Sequence, residues 1–294
     1  MNAIIATVGM FDGVHLGHRH LLDTLTAQAR ERRLHPVVFT FDCHPQQVLR
    51  GRQAVSLLTT SEERLQMLHR LGDYEVVVVH FDRTMAALSA VEFYDEVMSR
   101  HAPIQALVMG YDNSFGNKQH NDFPQLRARL EREGVTVIDD VAVRCDGVEV
   151  SSTQIRLALQ SGNVSQANAM LGYRYSLSGT VTAGRHIGHT LGFPTANLDC
   201  RTMSKLMPAD GVYALTARCE GESWHAVANL GTQPTVGGQD RVLEVHLLDE
   251  CRQLYGRLLQ VEFVARLRDI RPFDSHESLA HQIQQDIEQC RSLF

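Results

Sequence analysis

No run of apolar residues in this sequence is long enough to cross a bilayer. The longest, such as Val76-Val-Val-Val79, fall far short of the about 18 residues a spanning helix needs. The N-terminus has neither the basic stretch nor the cleavage site of a secretory leader, so a cytoplasmic protein with no membrane association is expected. The six cysteines, at 43, 145, 200, 219, 251 and 290, form no CxxC pair. Free thiols in a reducing compartment are expected from that, rather than disulfides or a zinc centre. There is no excess of positive charge: 28 Lys and Arg against 34 Asp and Glu leave a formal charge of −6. Broad electrostatic binding to nucleic acid or to an anionic membrane is thereby disfavoured. Internal repeats and low-complexity stretches are absent too.

What is present is an ordinary globular composition in a chain of 294 residues, long enough for two cores. Strand-like segments Ile4–Val8, Pro36–Phe41, Glu75–Phe81, Ala106–Met109 and Thr136–Ile138 alternate with helix-length periodic stretches. Those stretches are Leu21–Arg33, Ser61–Arg70, Ala90–Arg100 and Phe123–Glu133. Such an order implies a parallel sheet covered by helices, with ligands at the carboxyl ends of its strands. Two short helices, Ser152–Gln160 and Val164–Leu171, follow. From about residue 175 the rhythm changes to short strands broken by Gly, Pro and Asp turns, which reads as a small antiparallel barrel. Leu279, Ile283 and Ile287 after Asp274-Ser275 suggest a capped C-terminal helix packed on that barrel. The expected fold class is therefore α/β plus all-β, with domains 1–174 and 175–294.

The first strand runs straight into Gly9-Met-Phe11-Asp12-Gly-Val-His15-Leu-Gly17-His18-Arg-His20. Glycines in the turn and a helix start near His15-Leu16 put free backbone N–H groups at the sheet's edge, where anions are favoured. His15 and His18, three apart on a helix, share a face and could donate to one phosphate. Gly17 would let a ligand approach the backbone. A turn with solvated histidines, or a metal site completed by Asp12 or His20, remain open alternatives.

This stretch resembles the HxGH signature of the nucleotidyltransferase superfamily, whose histidines steady phosphate charge during displacement at an α-phosphorus. Ser151-Ser152-Thr153-Gln154-Ile155-Arg156 resembles the superfamily's SSTxIR motif, which presents hydroxyls, amides and an arginine from a helix start. Thr40-Phe-Asp-Cys-His44-Pro45 and Gly110-Tyr-Asp112-x-x-Phe115-Gly116 resemble the bacterial flavin-adenylating subgroup. Asn113-Ser114 stands where that subgroup has a basic or aromatic pair. In the second half, Gly184-Arg185-His-Ile-Gly188-His189 and Gly192-Phe193-Pro194-Thr195-Ala196-Asn197 look like the riboflavin kinase signature, with His189 in place of the usual arginine. Pro208–Ala214, Asn229–Thr235 and Leu243–Asp249 follow in the same family order.

Over essentially its whole length the chain is similar to the prokaryotic FAD synthetase family. The resemblance implies a Rossmann-like nucleotidyltransferase domain, a riboflavin-kinase-type barrel, and two ATP-dependent reactions with Mg²⁺ at both sites. In the first half it implies that Gly9, Phe11, Asp12, Gly17, Ser152, Thr153 and Arg156 surround ATP, with His15 and His18 catalytic and Asp112 and Phe115 on the flavin. In the second it implies Gly184, Arg185, Gly192 and Pro194 on ATP, Thr195 and Asn197 on the metal, and Asn229 and Tyr213 on the flavin. Glu244 is then the base that deprotonates riboflavin's 5′-hydroxyl. Riboflavin, FMN, FAD and ATP are the expected partners, for a monomer or weak homo-oligomer that binds no nucleic acid. Asn113-Ser114 motivates an alternative, a riboflavin kinase whose first half has lost adenylyl transfer.

Overall fold

The computed structural model describes residues 3–51, 54–111, 122–182, 192–200, 203–235, 238–250 and 252–294. Among the expected site residues, Asp112, Phe115, Gly184 and Arg185 lie outside them, as do Asn113, Ser114 and His189. The chain divides into two compact units, Met1–Ser152 and Thr153–Phe294.

In the first unit, β1 (Ile4–Val8) leads into α1 (Leu16–Arg32) and then β2 (His35–Phe41). The short α2 (Pro45–Arg50) and α3 (Ser61–Leu71) precede β3 (Glu75–Val79). Next come α4 (Arg83–Ala87), α5 (Ala90–Phe93), a π-helical turn Tyr94–Met98 and α6 (Ser99–His101). The unit continues with β4 (Ile104–Met109), α7 (Phe123–Arg132), β5 (Thr136–Asp139) and a small ribbon of β6 (Arg144–Cys145) with β7 (Val148–Glu149). The strands pair in parallel in the order β3-β2-β1-β4-β5. Every residue of β1 is buried, because alternate side chains enter cores on opposite faces: Ile4, Ala6 and Val8 on one, Ile5 on the other. A parallel sheet so covered leaves its carboxyl edge as the open end.

The second unit begins with α8 (Ser152–Gln160), whose first residue still counts with the first unit, and α9 (Val164–Leu171). Though the sequence rhythm groups these helices with the first half, they bond to the barrel's side. Ala209 N–H donates to Leu159 O, and the Asn168 side chain donates to Phe263 O. The barrel comprises β8 (Ser176–Thr182), β9 (Ala196–Asp199), β10 (Gly211–Cys219), β11 (Glu222–Thr235), β12 (Gly238–Leu247) and β13 (Leu258–Arg268). It closes in the order β10-β11-β12-β9-β8-β13. Then α10 (His276–Arg291), capped by a reciprocal Ser275–Ser278 pair, lays Ile283 and Ile287 against Val212 and Val227 on the barrel's outer face.

Candidate functional sites

Beyond Val8 the backbone leaves ordinary conformational space. Phe11, Gly13 and Val14 have φ of 53°, 81° and 36°, and Val14 N–H closes a turn onto Phe11 O at 3.0 Å. For a β-branched residue such a φ is costly, so surrounding contacts must impose it. They are visible. The buried Asp12 carboxylate accepts Leu58 N–H at 3.1 Å, Thr59 N–H at 3.0 Å and the Thr59 hydroxyl at 3.1 Å. Gly13 N–H donates back to Thr59 Oγ1 at 3.0 Å, and the Ser152 hydroxyl donates to Asp12 O at 2.9 Å. Asp12 therefore serves as the loop's anchor, and Ser152 bonds to the loop's backbone.

His15 caps α1: its Nδ1 accepts the His18 N–H at 3.3 Å. An accepting Nδ1 leaves the neutral ring's proton on Nε2, as a donor. The two imidazoles stack at 3.6 Å and 17°, and Phe11 meets His18 edge-on at 5.2 Å. Burial first, and the His15 neighbour second, hold His18 well below the usual histidine range. Its Nδ1 is shut off from solvent with no hydrogen-bond partner. Gly17 is explained differently from the sequence expectation: a Cβ there would lie 3.2 Å from the His15 ring and 3.4 Å from Val150 O. The absent side chain makes room for the histidine. Gly9 likewise makes room for Phe11, whose ring would lie 3.2 Å from a Cβ.

His20 stands 2.8 Å from the buried carboxylate of Asp140, which also accepts the Thr24 hydroxyl. Among the described residues no three His, Cys, Asp or Glu side chains are grouped to hold a metal, so the metal alternative for this loop finds no ligand set. Thr153 is exposed and Arg156 half-buried in the opening turns of α8. One residue received no role from the sequence, although the stretch Leu58–Arg64 shares the family resemblance. Arg64 of α3 is fully buried, donates to Phe41 O at 2.5 Å, and leaves Nε and Nη1 without partners. Only its place in the helix, one turn after the Thr60–Glu63 capping box, could have drawn attention to it.

In the barrel, register builds a second site. Glu244 on β12 lies opposite Asn197 on β9 and opposite Asn229 on β11, so the three form a row across adjacent strands. Leu243, Val245 and Leu247 between them fill the barrel, which turns Glu244 and His246 outward, beneath α10. There a cavity of about 280 Å³ is lined by Glu244, Asn229, Thr195 and His246, with Val212, Val227, Leu279 and Ile283 as its apolar walls. Its rim carries Arg268, Arg271 and Phe273, with the Arg268 and Arg271 guanidiniums 5.7 and 5.2 Å from the Phe273 ring. Arg268 is fixed by three hydrogen bonds to the buried Asp286 carboxylate, of 2.7, 2.8 and 3.1 Å, which pin α10 to β13.

A second cavity, of about 210 Å³, is lined by Pro194, Thr195, Val181, Glu250, Arg252 and Tyr255. Thr195 and Pro194 border it, and Thr195 also borders the first. Gly192, at φ 83° with open space where a Cβ would be, begins the described part of this segment. Tyr213 falls elsewhere. Its ring is wholly buried in the barrel, edge-on to Phe263 at 5.2 Å, with its hydroxyl donated to Ala209 O at 2.5 Å; it is the adjacent Val212 that faces the cavity.

Comparisons with known proteins match both halves. Residues 1–154 match the FAD synthetase family model and residues 171–294 the riboflavin kinase model. Curated relatives described as bifunctional riboflavin kinase/FMN adenylyltransferase include those of Escherichia coli, 38% identical over 99% of this chain and 92% of theirs, and Haemophilus influenzae, 36% over 98% and 93%. The Bacillus subtilis relative is 33% identical over 99% and 92%. Among solved structures, a crystal structure described as a macrolide-efflux protein from Streptococcus pneumoniae superposes with a TM-score of 0.87 at 31% identity, covering 99% of this chain and 94% of that one. Efflux is said there of that protein alone; among the described residues of this one, no helix is long and apolar enough to cross a membrane. Two matched domains, and relatives spanning nearly the full length, favour two activities over a kinase with an idle first half. The chain belongs to the bifunctional riboflavin kinase/FMN adenylyltransferase family, phosphorylating riboflavin to FMN and adenylylating FMN to FAD with ATP.

Proposed function

We propose that the two reactions use separate equipment, adenylyl transfer at the β1–α1 loop and phosphorylation at the Glu244 row, within domains 1–174 and 175–294. The carrying observation is that Thr195 borders both barrel cavities while Glu244 lines only one. Riboflavin fits the Glu244 cavity, with apolar walls for its ring system and Asn229 for polar contact. ATP occupies the second cavity, and the two substrates meet at Thr195.

Riboflavin's 5′-hydroxyl is neutral and needs a base. The Glu244 carboxylate takes its proton as the oxygen bonds to the γ-phosphorus and the bond to ADP breaks. The Thr195 hydroxyl and Asn197 amide oxygen fit Mg²⁺, which is held by neutral and anionic oxygens alongside substrate phosphates rather than by a dedicated protein cage. Bound there, Mg²⁺ would neutralise phosphate charge.

FMN already carries an anionic phosphate, so adenylyl transfer needs no base. An FMN phosphate oxygen attacks the α-phosphorus and pyrophosphate leaves. His15 donates from Nε2, His18 and the Ser152 end of the loop border the same phosphates, and Thr153 and Arg156 are assigned there by the SSTxIR resemblance. Asp12 and Gly17 act by shaping the loop. A cytoplasmic enzyme suits these substrates and the free thiols of Cys43, Cys145, Cys200, Cys219 and Cys290.

The test is a pair of variants assayed for both products. Glu244→Gln should abolish FMN formation and spare FMN-to-FAD conversion; His18→Ala should do the reverse. One variant abolishing both in folded protein would refute separate sites.

A further inference from the structure

In the kinase reading Thr195 handles phosphate, yet it lies just outside the barrel. β9 begins at Ala196, and ladder pairing begins there too. The ring of the preceding Pro194 holds its own φ near about −65°. With that φ fixed, the ψ of Pro194 sets the plane of the Pro194–Thr195 peptide, from which Thr195's own torsions carry the hydroxyl into the site.

His246 is placed to control that rotation. Its Nδ1 lies 2.9 Å from Pro194 O, and since a carbonyl only accepts, Nδ1 carries the proton. Phe193 meets the same imidazole edge-on, at 5.6 Å and 87°. His246 follows Glu244 by two residues on β12, on the same outward face. One strand thus carries both the proposed base and the clamp on the phosphate-handling segment.

We propose that His246 is a positioning residue of the kinase reaction, its Nδ1–H setting the Pro194–Thr195 peptide so that the Thr195 hydroxyl meets the nucleotide phosphates. The proposal rests on the roles given above to Glu244 and Thr195. A rival role, direct contact with the flavin, separates kinetically, because His246 lines the Glu244 cavity and not the second one.

The experiment uses the full chain with His246→Ala, His246→Asn and His246→Gln, and Glu244→Gln alongside. It measures the ATP and riboflavin KM and the Mg²⁺ half-saturation of FMN formation, with FMN-to-FAD conversion as the internal standard. An Asn amide N–H stands near the Nδ1 position, a Gln amide near Nε2. Loss of one hydrogen bond should raise the ATP KM and Mg²⁺ half-saturation of His246→Ala about tenfold, with the riboflavin KM little changed. His246→Asn should recover most of this, and His246→Gln should not. A raised riboflavin KM with ATP and Mg²⁺ constants unmoved overturns the proposal, as does an Asn variant no better than Ala. Full FMN formation by Glu244→Gln would instead sink the underlying site reading. An inactive Glu244→Gln with an unperturbed His246→Ala would sink the positioning role alone.

Discussion

The imidazoles of His15 and His18 lie face to face at 3.6 Å, and the pair cannot readily hold two charges. His18 is pulled well below its usual range, so below about pH 6.5 the unfolded chain binds a proton that the folded one refuses. That difference destabilises the fold as pH falls. Thermal melts from pH 7.5 to 5.5 should show a steeper loss for wild type than for His18→Gln. ATP should protect the wild type more strongly at the acid end, since phosphates favour the protonated ring. Parallel melting curves for the two proteins would defeat this account.

Asp12 offers a sharper separation of roles. If its carboxylate anchors Leu58 and Thr59, Asp12→Ala strands buried donors and should cost about 2–4 kcal/mol, read by urea unfolding. FAD synthesis should fall with it while riboflavin phosphorylation persists. An ATP ligand would behave otherwise, raising the ATP KM with stability unchanged.

At Gly17 a single methyl group is decisive. Gly17→Ala sets a methyl 3.2 Å from the His15 ring, which must give by a few tenths of an ångström, while Val150 O at 3.4 Å lies at ordinary contact behind it. A displaced donor should lower FMN-to-FAD turnover about tenfold to a hundredfold, with FMN formation as the unaffected control.

The C-terminal helix has a comparable pressure point. Asp286→Ala leaves Arg268 without its buried carboxylate and should destabilise the second unit by about 3–5 kcal/mol. Since Leu279 and Ile283 of the same helix wall the Glu244 cavity, the riboflavin KM should rise more than the ATP KM.

Tyr213→Phe tests where that ring points. It removes the hydroxyl's bonds to Ala209 O and to the Arg266 side chain, each worth about 1 kcal/mol, and should leave the riboflavin KM alone.

These cases show which parts of the molecule could be read ahead. Hydrophobic rhythm located all five strands of the parallel sheet within a few residues, and turn residues from about 175 onward announced the antiparallel barrel. Motif spacing singled out His15, His18 and Ser152 as candidates, because a turn followed by a helix start is local. Asp12's partners lie 46 and 47 positions away, and no local pattern announces them. β10 is buried at Gly211–Ala217 along both faces, since α10 covers its outer side; the alternation separating Val212 from Tyr213 was thus erased from its composition. β9 is four residues long and follows a proline, too brief for a periodicity to register.

That short strand has a consequence beyond geometry. β9 is the seam of the barrel, bonded to β12 on one side and to β8 on the other. Asn197 lies on the seam and Thr195 borders it, while Glu244 and Asn229 come from a hairpin that can pair without them. Glu244 and Asn229 face each other once β11 and β12 pair, whereas Asn197 takes its place opposite Glu244 only when β9 joins β12 to β8. Under the proposed roles FMN production should therefore report complete barrels only, with a chain left open at the seam silent rather than slow.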